Sequence, residues 1–488
     1  MLLLVVIQSA SFLLFFGLVF CVSWSFPARV RWVPLLLASL WFVGASRPAD
    51  LVPLVAATVA TYAIARRLEA LPRVDAVARK RWLLLGAGLL LAALAGAKYV
   101  NFLGGAVSQA AAWVGLSVPL RPVRLLLPLG ISFYTFRLLG YLVDVYHGRV
   151  EAERHAGYFG LFAAFFPQVS AGPIERARDF LPRLRAPERF DADRLTAAAA
   201  QVAWGLFKKA VIANRLAIFV DQVFAAPPGQ GLSLVVAAWL YAIQIYCDFS
   251  GYTDIAIGLA RLLGYESAKN FDAPYASRSI AEFWSRWHMS LSFWFRDYLF
   301  LPLSYAATRS ERRDRILGVR VETVAYAQAT AITMTLCGLW HGASWSFVAW
   351  GGLHALFLIA GQLSRRLRRR WARWTGLAAR PSLHRALQVL LTFNLVSFAW
   401  IFFRAPTLAE AIRYLHYMQI KPSANGVGHL IVDCGLAAAF LLAEWLYRRA
   451  GELRPLPLPV RAGLLAAAAC AILLFGVDSG NEFIYVRF

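Results

Sequence analysis

Apolar runs of roughly 18–20 residues recur from one end of the chain to the other, each long enough to cross a bilayer as one helix. Of 488 residues 59% are hydrophobic and 16% charged, where a soluble domain carries about 25% charged residues. The pattern predicts an all-α, polytopic membrane protein. The expected spans lie near 3–22, 33–46, 51–65, 83–99, 126–143, 233–246, 322–340, 343–361, 386–403, 427–447 and 460–476. Two further stretches are irregular: 194–224 is interrupted by Lys208 and Lys209, and 247–265 is unusually polar. The expectation is therefore about 11–13 membrane-embedded helices, joined by re-entrant and amphipathic segments. Nothing marks an internal repeat or a second domain, so 1–488 reads as one transmembrane domain. The opening MLLLVVIQSASFLLFF has no charged n-region and reads as a retained first span.

The formal net charge is +23. The arginines flank apolar runs, as at Arg365, Arg366, Arg368, Arg369 and Arg370. That is the pattern of cytoplasmic loops and of attraction to anionic lipid. With no soluble basic domain, nucleic acid is set aside. The five cysteines are scattered without a CxxC, so small buried residues fit better than disulfides or a zinc site. No metal site is expected. Arginines in 66–82 place that loop inside and the N-terminus outside. The run 158–172 has basic flanks and ends in Pro, Ser and Gly. It reads as a re-entrant segment lodged against protein. Basic loops also bracket 322–361, which makes that stretch a hairpin with His341 near its turn.

Ionisable groups in such a setting mark a substrate path or a chemical site. His341 stands in LWHGASW, where Gly338 and Gly342 permit close backbone approach and Trp340 and Trp345 can wall a pocket. Neutral imidazole is the usual general base near neutral pH. His288 stands in FWSRWHMSLSFWFRDY, with Ser285 and Ser292 on its helical face by spacing. That stretch, with Arg286, Arg296 and Asp297, suits either an interfacial amphipathic helix or a site. Asp248 and Asp254 lie six apart and share no helical face unless Ser250-Gly251 breaks the helix; helix capping at such a break is the plainer account. Asn394 either lines a tunnel or bonds another helix. No GxSxG, HExxH or Walker loop offers a different chemistry.

In chain order, FFPQVSAGPIER, YCDFSGYTDIAIGLARLLGYE, NFDAPYASRSIAEFWSRWHMSLSFWFRDYLF and LWHGASWSFVAWGGLHAL resemble the membrane-bound O-acyltransferase superfamily, and within it the alginate O-acetyltransferase branch. The resemblance implies helices around a central funnel, a cytoplasmic acyl donor and an acceptor on the far side. It makes His341 the catalytic histidine. It makes His288 a residue that orients or polarises, since relatives often carry Asn there. Trp340, Asn394, Asp248, Asp254 and Arg286 are candidate lining residues. The segment 483–488, FIYVRF, resembles an aromatic tail found in this branch and makes Tyr485 a candidate acyl relay.

The implied function is transfer of an acyl group, acetyl by preference, from acetyl-CoA or an acyl-carrier protein toward O-acetylation of an extracytoplasmic polysaccharide such as alginate. The setting is a bacterial inner membrane, with no bound cofactor. A periplasmic esterase-type acyltransferase and the polysaccharide machinery are the implied partners. D-alanyl or peptidoglycan O-acyl transfer is the nearest alternative. A polytopic transporter is the alternative of another class, although no paired broken helices of an inverted repeat are visible.

Overall fold

The computed structural model describes residues 9–118, 122–123, 126–225, 231–310, 314–316, 318–418, 433–444, 458–477 and 484. Apart from a two-residue antiparallel ladder, Arg315–Ile316 with Val319–Arg320, the regular structure described is helical. The chain packs as two compact units. One holds Met1–Val202 and Thr253–Ala268; the other holds Ala203–Tyr252 and Lys269–Ile484.

The first unit contains α1 (Ala10–Ser25), α2 (Trp32–Ser46), α3 (Leu51–Ala70), α4 (Ala76–Lys98), α5 (Val100–Trp113), α6 (Ile131–Tyr146), α7 (Ala156–Ala164), α8 (Phe166–Val169), α9 (Ala177–Arg185) and the start of α10 (Ala192–Phe207). α6 is buried along most of its length. Its Arg137 donates to the Phe162 carbonyl at 2.8 Å and to Gln168 Oε1 at 3.2 Å. Gln168 in turn donates to Glu175 at 3.1 Å. The expected re-entrant stretch is thus two short helices, α7 and α8, neither long enough to span. A buried guanidinium takes up a carbonyl at the end of α7, which is how irregular backbone is tolerated away from water.

The second unit continues through a π-helical turn at Lys208–Ala213, α11 (Asn214–Ala225), α12 (Gly231–Leu262, which the division crosses), α13 (Ile280–Arg286), α14 (Met289–Phe295), a π-turn at Arg296–Phe300 and α15 (Leu301–Ser310). Then come α16 (Val321–His341), α17 (Trp345–Leu363), α18 (Arg365–Trp374), α19 (Pro381–Arg404), α20 (Leu408–Tyr417), α21 (433–444) and α22 (Leu458–Phe475).

Among the described residues five helices are long and apolar enough to cross a bilayer: the stretch Pro48–Ala70 with α3, α4, α12, α17 and α19. α1 and α2 are shorter apolar helices. The expected spans 3–22 and 427–447 fall partly outside the described residues, 460–476 corresponds to α22, Leu458–Phe475, and 126–143 begins its helix only at Ile131. α12 stands apart from the rest: 89% of its apolar stretch is buried within the protein, against 17% for α4. Its polar residues Gln244, Asp248, Ser250 and Thr253 are buried with it. α12 also runs unbroken through Ser250 and Gly251, so the break that would have put Asp248 and Asp254 on one face does not occur.

Candidate active site

α16 contains no proline and ends at His341, because Gly342 turns to extended backbone at φ −165°, ψ 148°. Ser344, extended at φ −150°, leads into α17. The two helices pack as a hairpin through glycine. A Cβ at Gly338 would run into the Phe347 carbonyl, and one at Gly351 into the Met334 carbonyl. That contact sets His341 against α17.

The His341 ring is 1% exposed. Its neighbours are Trp340 at 4.9 Å between ring centroids, Trp350 at 5.1 Å and perpendicular, and Phe403 of α19 at 5.3 Å. Trp345 is not part of this wall. As the first residue of α17 it is 51% exposed, and Trp350, more than one turn further on, takes the place expected for it. The Trp350 indole N–H is buried and meets no hydrogen-bond acceptor among the described residues.

His288 does not sit within a helix. It is the left-handed residue, φ 43°, ψ 53°, that separates α13 from α14. Helical spacing to Ser285 and Ser292 therefore does not apply. Its real partner is Asn270, whose Oδ1 lies 3.1 Å from His288 Nδ1. The same oxygen accepts from the Ser290 amide at 3.1 Å and the Ser290 hydroxyl at 2.9 Å. An atom facing an amide N–H must be the carbonyl oxygen, so His288 Nδ1 carries the proton and neutral His288 keeps its lone pair at Nε2. A neutral His288 can thus accept a hydrogen bond from a substrate hydroxyl at Nε2 but cannot donate there. The Phe249 ring of α12 stands edge-on to it at 4.7 Å.

The structure brings the two histidines to one indole. Trp340 lies 6.1 Å from the His288 ring and 4.9 Å from that of His341. The other candidates go elsewhere. Asp248 pairs with Lys209 at 2.6 Å, both side chains buried. Asp254 belongs to the first unit and accepts from Gln201 at 3.1 Å. Arg286 makes a half-exposed i, i+4 pair with Glu282 at 2.7 Å. Asn394 accepts from Trp239 Nε1 at 3.1 Å, a bond between α19 and α12, which is the helix-bonding alternative and not a wall of the His341 pocket. Tyr485 lies outside the described residues.

Three participants escaped the sequence reading. Asn270 lies 18 residues from His288 and carries no local signal. Trp350 is one of 17 tryptophans. His354, one turn beyond Trp350, is buried and accepts from Trp284 Nε1 at 3.3 Å. Lys209 did leave a trace, as the charge that interrupts 194–224. A cleft of about 720 Å³ in the same unit is lined by Tyr246, Tyr275, Phe393, Arg385 and Glu444 among others, and by neither histidine. Trp400 bridges the two regions: its indole donates to Tyr275 at 3.2 Å and stacks on Trp350 at 5.6 Å.

Removing Asn270 strands the Ser290 amide and frees the His288 ring. Asn270→Ala is expected to slow acyl transfer by about 10²-fold, the cost of misplacing a reacting group by roughly 1 Å. Asn270→Asp, which keeps an accepting oxygen, restores much of that loss. Initial rates of both variants, alongside their thermal midpoints, check this; equal rates for Ala and Asp would refute the positioning.

The sequence profile described as the membrane-bound O-acyltransferase family matches residues 155–403, the stretch that carries Asn270, His288, Trp340, His341, Trp350 and Phe403. The chain is 37% identical over 388 residues to a probable alginate O-acetylase of Azotobacter vinelandii, covering 79% of this chain and 72% of that one. It is 30% identical over 415 residues to the peptidoglycan O-acetyltransferase of Helicobacter pylori, covering 79% and 73%. To a teichoic acid D-alanyltransferase of Streptococcus thermophilus it is 32% identical over 292 residues, covering 56% and 68%. With its apolar helices and its paired buried histidines, the chain is a multi-pass membrane O-acyltransferase and belongs to the membrane-bound O-acyltransferase family.

Proposed function

We propose that this enzyme moves an acetyl group from a cytoplasmic thioester, acetyl-CoA by preference, toward O-acetylation of an extracytoplasmic polysaccharide of the alginate kind, from a bacterial inner membrane. The observation that carries the reading is the shared Trp340 wall, which sets two buried imidazoles within reach of one small region. The name of the Azotobacter relative supports the acetyl group and the polymer.

In the proposed step, His341 takes the proton of the acceptor hydroxyl as its oxygen attacks the thioester carbonyl carbon. Before attack the hydroxyl donates to His288 Nε2, which holds it in place, and it turns its one proton from His288 to His341 as the thioester carbonyl is engaged. The Trp350 indole N–H is the donor available to the carbonyl oxygen as it gains charge. The C–S bond then breaks, and the departing thiolate recovers the proton from the His341 imidazolium. The products are one ester and one thiol.

The first acceptor in this reading is the Tyr485 phenol. A phenol ionises near about 10, well below an alkyl alcohol, and its ester stays activated for a second transfer. A periplasmic esterase-type partner then passes the acetyl group to the polymer. The test incubates membranes with labelled acetyl-CoA and looks for one acetyl group on the peptide that contains Tyr485. Tyr485→Phe should remove that label. Full polymer acetylation by Tyr485→Phe would reduce the segment to a membrane anchor and leave direct transfer at His341. D-alanyl transfer, favoured by the name of the Streptococcus relative, would show as label from a D-alanyl thioester and none from acetyl-CoA.

A further inference from the structure

The cleft beside Tyr275 is built along one stripe of α19. Ser382, Arg385, Ala386, Val389, Leu390 and Phe393 line it, at positions that recur every three or four residues and so share one helical face. From Ser382 to Phe393 the helix rises roughly 16 Å, about half the thickness of a bilayer's hydrocarbon core. The rest of the lining comes from Ile243 and Tyr246 of α12, the turn Pro274–Ala276, and Leu441 and Glu444 of α21. All of it belongs to the second unit. The volume of about 720 Å³ lies within the range of about 300–1,000 Å³ found for sites that bury a small molecule.

One end of the stripe is basic. Ser382 and Arg385 are exposed, and Arg385 makes no ion pair among the described residues. Glu444, the other charged lining residue, is buried and already accepts the Tyr246 hydroxyl. Just before α19, α18 packs on the turn Leu377–Ala379. Its sequence is RRLRRRWARW, and Trp371 and Trp374 are exposed. A basic helix with exposed indoles belongs at a membrane interface, and its arginines assign it to the cytoplasmic side. The start of α19 is therefore at headgroup level, and Phe393 lies about one leaflet deeper. Lining or adjoining the cleft, Leu387, Leu390, Leu391, Leu441 and Leu442 are 42–59% exposed, so the cleft opens toward lipid tails.

We propose that this cleft binds one anionic phospholipid of the cytoplasmic leaflet. An acyl chain lies along α19 from Ala386 to Phe393, and the Arg385 guanidinium takes the phosphate with the Ser382 hydroxyl as a second donor. A guanidinium matches phosphate with two parallel hydrogen bonds. A zwitterionic headgroup offers the same phosphate but cancels its charge, so the preference is for an anionic lipid. The acyl thioester also joins phosphate to a slender arm, but it is not the occupant. Neither histidine lines the cleft. The contacts from its wall to His341 run through two stacked indoles, Trp400 on Tyr275 and Trp350 on Trp400. A thioester seated here does not reach an imidazole.

The test adds dioleoylphosphatidylglycerol, dioleoylphosphatidylcholine or inorganic phosphate to the delipidated full chain in detergent and counts retained lipid by native mass spectrometry. The wild type is expected to retain one phosphatidylglycerol with an affinity about five- to tenfold above that for phosphatidylcholine, the worth of one arginine at an anionic headgroup. Arg385→Ala should lose that preference. Ala386→Trp, which fills the cleft from an exposed position, should retain neither lipid there. Arg366→Ala, the same loss of charge on α18, should behave as the wild type. Equal retention of the two lipids by the wild type overturns the proposal, and so does an equal loss in Arg366→Ala and Arg385→Ala. Displacement of phosphatidylglycerol by an equal concentration of inorganic phosphate would show a free phosphate site and overturn it too. Should Ala386→Trp fail to fold, Arg385→Ala against Arg366→Ala, both at exposed positions, decides alone.

Discussion

His341→Ala will abolish measurable acetyl transfer while the hairpin that carries it stays folded. The ring is walled by Trp340, Trp350 and Phe403, a setting in which a proton can leave the acceptor only for a positioned base. Loss of a general base typically lowers a rate by about 10²–10⁴-fold. Truncation to Ala also opens a void among the indoles and lowers stability. His341→Gln is the paired variant, since it keeps most of the volume and one hydrogen-bonding nitrogen. Both variants should lose transfer to the same extent, and only Ala should show the larger fall in thermal midpoint by tryptophan fluorescence. A purified His341→Gln protein that still transferred acetyl at near the wild-type rate would remove His341 from the chemistry.

Gly338→Val should be nearly as damaging to activity by a different route. The Cβ it adds meets the Phe347 carbonyl, and neither partner is a flexible side chain that can yield. Overpacking costs roughly 1–3 kcal/mol, and a clash with backbone belongs at about the upper end. The helices can relieve it only by separating. His341 sits on α16 and Trp350 on α17, so separation widens the site itself; a shift of roughly 1 Å costs about 10²-fold. Gly352 supplies the control: nothing lies within 4 Å of a Cβ built there. Gly352→Ala should leave both rate and thermal midpoint unchanged. A Gly338→Val enzyme as active as Gly352→Ala would show that the α16–α17 contact does not set the site.

Hydropathy placed the hairpin well. The expected spans 322–340 and 343–361 correspond to Val321–His341 and Trp345–Leu363, because apolar length and flanking charge report directly on where a helix can sit. They report nothing on which way a ring faces. Trp345 and Trp350 look alike in sequence, yet only the crossing of α17 over α16 decides which of them meets His341. The His288 stretch defeated periodicity for a local reason: one left-handed residue resets the phase between α13 and α14, and face assignments across it lose meaning. Asn270 was invisible because a hydrogen bond across 18 residues exists only once the chain has folded. α5, Val100–Trp113, was not expected, since its glycines, serine and glutamine dilute the apolar signal.

The backbone at His288 also governs which substitutions there can be interpreted. Among the described residues only Ala273 and His288 combine a side chain with positive φ, a conformation that Gly and Asn enter most easily and that costs most other residues about 1–3 kcal/mol. Alanine scanning would therefore confound lost chemistry with a refolded junction between α13 and α14. Glycine removes the ring at little conformational cost, and asparagine removes it while keeping a polar group. Interchange of His and Asn at this position is thus as much a matter of shared backbone preference as of shared chemistry, and a lineage can trade one for the other without passing through a misfolded intermediate.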